Sequence, residues 1–225
     1  MANSPIARIS FLLLLIFISG STFGQKKFKV KVIETISSPD KYIPDRYVFV
    51  DEKGNIIREL DTAKYTTCFY NEQYVYFTIV TLKDYTKANK DGWAAIDADE
   101  RILFTVMNTS YGEPTPDYLW EDAIRIIDTN NLVGFANSKG KIIIEPQFEA
   151  VSSFHNGKAI IATSCKNIPL NDHATESDCH HFSTICTNHG YINKKGKILK
   201  MGPYSFEKIK KEIKWEDPED DYLYQ

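Results

Sequence analysis

Residues 133–162, VGFANSKGKIIIEPQFEAVSSFHNGKAIIA, decide the architecture, because weaker copies of this stretch stand before and after it. Aligned on its first turn, the chain shows four such copies: YVFVDEKGNII from Tyr47, WAAIDADERIL from Trp93, VGFANSKGKII from Val133 and HGYINKKGKIL from His189. Each begins with a short run in which side chains alternate faces and reaches an Asx residue (Asp51, Asp97, Asn137, Asn193). Three residues later comes glycine in three of the four (Gly54, Gly140, Gly196). An Asx side chain caps a type I turn by accepting backbone N–H groups ahead of it, and a left-handed glycine closes the hairpin with a bulge. Glu100 takes the glycine's place in the second copy. A left-handed non-glycine residue costs about 1–2 kcal/mol, so the Asp97 turn is expected to be distorted.

After each turn comes a polar residue and then isoleucine: Ile56, Ile102, Ile142 and Ile198. A β-branched residue at a fixed place reads as a strand packing on its neighbour's pleated surface. The second half of the unit is clearest from Pro146 to Ile161. It is echoed by FYNEQYVYF from Phe69, YLWEDAIRI from Tyr118 and PYSFEKI from Pro203, which stops half way. The unit therefore holds about four short strands. Its first position is large or ring-bearing in three copies (Tyr47, Trp93, His189) and its second is small (Val48, Ala94, Gly134, Gly190). A small residue inside a strand lets another backbone or ring approach.

These features resemble the WG-repeat family, whose pattern W-G-F-I-D-x-x-G-K-I-V-I-x-P-x-Y-D-x-a-x-x-F-x-x-G-x-A-x-V (a, apolar) is met best by residues 133–161. The name-giving pair survives only as Trp93-Ala94, Val133-Gly134 and His189-Gly190. The resemblance runs over roughly residues 47–209. It implies a β-rich repeat module used for binding or interaction, and it brings no catalytic residue to any position.

Residues 1–24 read as a cleaved signal peptide, with Arg8 as the only charge, an apolar run from Phe11 to Ile18 and small residues before Gln25. That run is short of the about 20 residues a bilayer span needs, and no cysteine precedes Cys68 to carry a lipid. The expected location is secreted or periplasmic, with no membrane anchor after cleavage. Loss of Arg8 with the leader moves the formal charge from −3 to −4, and no basic patch interleaved with aromatics is visible, which argues against nucleic acid. FKVKVIE from Phe28 alternates at period two and reads as a leading strand able to cap one end. The domain is expected to span residues 25–209, interrupted by MNTSYGEPTPDY (residues 107–118) and by an insertion at 163–188. Residues 210–225 read as an acidic tail.

The insertion carries Cys165, His173, Cys179, His180, His181 and Cys186, followed by His189. Imidazole and thiolate are the usual zinc ligands, but this spacing fits no zinc module and holds no C-x-x-C. In an oxidising compartment the expected chemistry is a disulfide between Cys165 and Cys186 at the base of the insertion, with Cys68 buried and unpaired. Asp97, Asp99 and Glu100 belong to the repeat's turn, not to a calcium loop. Ser164, Ser177 and Ser183 lie near histidines in sequence, without a G-x-S-x-G elbow. Among the aromatics, Trp93, Phe135, Phe148, Phe154 and Tyr191 recur at repeat positions and belong to the core. Tyr111, Tyr118 and Trp120 flank an irregular loop where a ligand can be met.

The expected fold is all-β, a repeat array of about four units of short antiparallel strands, open and curved, with a propeller-like closure as the alternative. The expected function is an exported non-catalytic binding protein, without cofactor or metal, for an unknown protein or glycan at the cell envelope. A secreted or periplasmic enzyme of unknown reaction and a structural envelope component are the alternatives. The expected contact residues are Tyr111, Trp120, His180 and His181, on two irregular segments brought to one end of the array.

Overall fold

The computed structural model describes residues 25–33, 46–69, 73–84, 92–109, 115–169 and 182–217. Residues 1–24, the stretch around Pro39 and Pro44, and residues 218–225 lie outside them. The described residues form four antiparallel sheets, none closed into a barrel. The first contains β1 (Lys29–Ile33), β2 (Arg46–Val50) and β3 (Ile56–Glu59). The second contains β4 (Tyr65–Phe69), β5 (Thr78–Leu82), β6 (Trp93–Ile96) and β7 (Ile102–Thr105). The third contains β8 (Ile124–Ile127), β9 (Val133–Ala136) and β10 (Ile142–Phe148). The fourth contains β11 (Ala150–Val151), β12 (Lys158–Pro169), β13 (Phe182–Asn193) and β14 (Ile198–Gly202), and α1 (Phe206–Ile213) follows it.

The sheets are half a unit out of phase with the sequence repeat. Each takes the last strands of one unit and the first two of the next, so β5 pairs with β6 (Thr78↔Ile96) and β12 with β13 (Ala162↔His189) across the unit boundary. No unit precedes the first, and β1 fills the vacant place by pairing with β2, as the alternation from Phe28 predicts. Shared sheets join consecutive units through backbone hydrogen bonds, which suits units too small to bury a core alone.

The core follows the array in series. Phe28, Phe49, Val80 and Ile96 pack between the first and second sheets, and Phe77, Trp93, Phe104 and Ile126 between the second and third. Phe135, Ile144, Phe154 and Ile192 pack between the third and fourth, and Ile160 meets Ile209, Ile213 and Trp215 of the helical end. No cluster among the described residues draws on both the first and the fourth sheet, in keeping with an open array. Trp93–Ile96 and Val133–Ala136 are buried along their whole length. Both are inner strands covered on both faces, so they read as continuous apolar runs.

The four expected turns share one geometry. In each, the Asx Oδ1 accepts the N–H groups two and four residues ahead, at 2.9 and 2.8 Å for Asp51 and 3.1 and 3.1 Å for Asn137. The residue three ahead returns its N–H to the Asx carbonyl, over 2.8–3.0 Å across the four. The Asp97 turn, expected to be distorted, follows the same scheme, with Glu100 held left-handed at φ 59°. Its buried carboxylate reaches back to the preceding unit, accepting from Asp61 N–H at 3.2 Å with Lys64 Nζ at 3.7 Å. A charge-assisted bond of this kind contributes about 1.5–3 kcal/mol, enough to offset the backbone cost. A fifth turn of this type, Asp128 to Asn131 with Asn131 at φ 62°, joins β8 to β9 and escaped the sequence alignment.

The small second position of the unit is explained by close approach of the following strand. A Cβ on Gly134 would lie 2.6 Å from Pro146 N, and one on Gly190 would overlap the Lys200 carbonyl group, both backbone atoms. Gly54 has no preceding sheet, and a Cβ there meets nothing within 4 Å. Gly190→Ala is therefore expected to cost about 1–3 kcal/mol by displacing β14, against about 1 kcal/mol for the left-handed Gly54 replaced by alanine. Urea unfolding ranks the two, and an equal or reversed ranking would contradict the close approach.

Three expectations need correction. The isoleucines after the turns do not pack on a neighbour: Ile56, Ile102, Ile142 and Ile198 are all exposed, because each opens the last strand of its sheet. The insertion is not irregular where it is described, since β12 and β13 carry straight through residues 163–169 and 182–188 as paired strands. The tail does not begin at residue 210. The chain forms α1 where the repeat predicts another strand pair, with Ile209 and Ile213, four apart, on its buried face and Trp215 buried after it.

Candidate functional site

β12 and β13 are 12 residues each, about twice the ordinary strand length. Their inner halves belong to the core of the fourth sheet, and their outer halves extend past β11 and β14 as a two-stranded arm. Cys165 stands opposite Cys186 in the register, and the expected disulfide is formed, with the two Cα atoms 4.0 Å apart. Closing a loop across a separation of 21 residues stabilises by about 3 kcal/mol in the chain-entropy model.

At the root of the arm Ser164 is left-handed at φ 55°. The N–H groups of Cys165 and Ser164 are both accepted by the Glu149 carboxylate, at 2.9 and 3.0 Å. These two bonds, Cys165 first, hold Glu149 below the usual carboxyl value. On the disulfide's face of the arm Thr184 Oγ1 donates to Asn167 Oδ1 at 2.9 Å, while Lys166, Ile168 and Ile185 lie on the other face, exposed.

Where the arm meets the core, Val151, Ser152, Thr184, Cys186, His189 and Phe206 line a cavity of about 250 Å³. That is below the about 300–1,000 Å³ of most small-molecule sites. His189 packs as its repeat position predicts, buried, with Nδ1 2.8 Å from the Tyr204 carbonyl oxygen and its ring 6.1 Å from that of Phe206. Cys68 is free and buried, as expected, and burial, opposed in part by Thr78, pushes its thiol up to about 11. It stays protonated at neutral pH, unlike a reactive cysteine. The Asp97 oxygens are taken by the N–H groups of Asp99 and Arg101 and by the Arg101 guanidinium. No group of three or more His, Cys, Asp or Glu among the described residues is arranged to hold a metal ion.

Of the expected contact residues, Tyr111, His180 and His181 lie outside the described residues. Trp120 is half-buried and exchanges backbone hydrogen bonds with Ala123 across a tight turn. The central residues of that turn, Glu121 and Asp122, are both left-handed, at φ 50° and 62°, a type I′ geometry usually given to Asn-Gly. What holds it is the next units' turns. Glu121 accepts the N–H groups of Asn156 and Gly157 at 2.5 and 2.9 Å and pairs with Lys194 at 3.1 Å, and Asp122 accepts Ser138 N–H at 3.0 Å.

Trp120 thus belongs to a buckle of turns beside Lys158, where β12 begins. The disulfide is seven residues farther along that strand, roughly 23 Å at 3.3 Å per residue. Trp120 and the arm therefore do not make one surface, contrary to expectation. Glu121, Asp122 and Glu149 were not among the residues expected from the sequence. Their only signal was an acidic pair standing where the third unit has Asn156-Gly157, and a carboxylate beside the short strand β11.

Residues 134–162 match the model of a protein family described as WG containing repeat. This is the third unit from its small second position to the end of its core strand segment, one copy of the four; the others share its turn geometry with weaker sequence agreement. No curated protein matches the chain.

Proposed function

We propose that the protein is an exported, non-catalytic binding protein that holds a protein or glycan partner at the cell envelope, with the β12–β13 arm as its gripping element. The observation that carries this reading is the arm itself. None of the described side chains of its outer half belongs to the apolar core, yet it is covalently stapled, capped at its root by Glu149, and presents Ile168 and Ile185 to solvent. Rigid, pre-ordered elements bind with less entropic cost than loops that must be ordered on contact. The leader-like residues 1–24 and a disulfide both suit an oxidising compartment outside the cytoplasm. The test replaces residues 164–187 by Asn-Gly, which closes the inner hairpin and leaves Lys158–Thr163 paired with Asn188–Asn193. The shortened protein is expected to keep its unfolding transition and to lose the partners that the full chain captures from envelope extract. Undiminished capture would overturn the reading.

A further inference from the structure

The isoleucine that opens the second strand of each unit is exposed in all four copies, by 64% at Ile56, 45% at Ile102, 41% at Ile142 and 50% at Ile198. Ile143 and Leu199 beside the last two are exposed as well. Scattered exposed apolar residues are ordinary, but the same residue exposed at the same place in every unit is a row. The turns stack unit on unit. Gly140 lies against Leu103 of β7, and a Cβ on Gly196 would be 3.3 Å from Ile144 of β10, so the turns of the third and fourth units abut the last strand of the sheet before them.

At the third and fourth units the row is also basic, whereas the first two carry Asp51, Glu52, Asp97 and Asp99 at the same turns. Lys139, Lys141, Lys195 and Lys197 are exposed around Ile142 and Ile198, and no ion pair to any of them occurs among the described residues. This local positive field stands on a chain whose net charge is −3. Lysine on an edge strand protects against sheet-to-sheet aggregation. That role needs the charge and gives no reason for an exposed isoleucine in every copy.

We infer that the part of this row on the third and fourth units is a docking strip for an extended, acidic polypeptide segment that carries apolar side chains. Stacked sheets lie about 10 Å apart, so Ile142 and Ile198 stand within the reach of about three or four extended residues. Apolar side chains of such a segment would meet the isoleucines while its carboxylates meet the lysines. The strip lies at the turn end of the fourth sheet, and Asn193 is seven residues along β13 from Cys186, so this inference does not depend on the arm.

The test is fluorescence anisotropy of the full-length protein with a labelled decapeptide, EDLEDYLEDL, beside its uncharged counterpart QNLQNYLQNL and decaglutamate. The acidic apolar peptide is expected to bind at least tenfold more tightly than either control. Exchange of Lys139, Lys141, Lys195 and Lys197 for glutamate should abolish binding. The pair Ile142→Ser and Ile198→Ser should weaken it about tenfold with an unchanged melting transition. The variant with residues 164–187 replaced by Asn-Gly should bind as the full chain does, which separates the strip from the arm. Three results would overturn the inference: no binding of EDLEDYLEDL, equal binding of decaglutamate, or a concentration-dependent dimer that the two serine substitutions dissolve.

Discussion

Replacing Trp215 by alanine is expected to lower the unfolding free energy by about 3–5 kcal/mol, the range for truncating a large buried aromatic. The expectation rests on how the chain closes the fourth sheet. Ser205 caps α1 by accepting Lys208 N–H, and Lys214, left-handed at φ 51°, ends it with its own N–H on the carbonyls of Lys210 and Lys211. That reversal turns Trp215 back onto Ile160, Ile209 and Ile213, where its indole N–H donates to the buried Ser153 carbonyl at 2.9 Å. Alanine would leave a cavity and remove one of the two donors to that carbonyl, the other being Ser152 Oγ at 2.9 Å. Phenylalanine keeps most of the volume and loses mainly the hydrogen bond, a cost of about 1 kcal/mol. In an array stabilised by nearest-neighbour contacts the damage should begin at its own end. Urea unfolding together with amide exchange in β12 and β13 measures both. A midpoint unchanged by Trp215→Ala would place residues 206–217 outside the cooperative unit.

Asp117→Ala is expected to cost a similar amount, about 3–5 kcal/mol, because it breaks a buried ion pair from one side. The Asp117 side chain is 1% exposed, and its carboxylate accepts from Arg125 Nη2 and from Arg125 N–H, each at 2.6 Å. Arg125 is itself 13% exposed and donates onward to the Val151 carbonyl at 3.5 Å. The pair closes the excursion between β7 and β8, whose described flanks meet at Met107 and Asp117, onto the edge of the fourth sheet. Removing the carboxylate takes a counter-charge from a largely buried guanidinium, whereas replacing both partners by apolar residues avoids that penalty. The double variant Asp117→Leu with Arg125→Met is therefore expected to recover most of the loss. If the single and double variants unfold at the same urea concentration, the coupling between these two residues is absent.

The legible parts of this fold were those decided within a few residues. An Asx side chain reaches its own turn, so the hairpins at Asp51, Asn137 and Asn193 could be read from spacing alone. Glu100 could not, because what compensates its left-handed backbone is Asp61 N–H in the preceding unit. The Cys165–Cys186 pairing was legible because the two cysteines bracket the insertion at its base. The helix had a local signal, Ser205 followed by Ile209 and Ile213 at helical spacing. The repeat template, which assigns strands to that stretch, hid it. For the candidate site, the sequence located the arm but not its form. It placed Trp120 with the arm, and the turn contacts of Glu121 and Asp122 set it apart.

By itself, then, the sequence determined an all-β array of four degenerate units, their turn chemistry, the leading strand and the disulfide. The units and their turns follow from short-range geometry repeated four times, the leading strand from its period-two alternation and the disulfide from cysteines that bracket the insertion. Only the tertiary structure decided the half-unit offset between sheets and repeats, the exposure of Ile56, Ile102, Ile142 and Ile198, and the buried Asp117–Arg125 pair. An isoleucine has the same strand preference on an inner strand as on an edge, and a carboxylate carries no mark of the partner it will meet. Those outcomes are set by which strand packs beside which, and that choice is made between residues far apart in the chain.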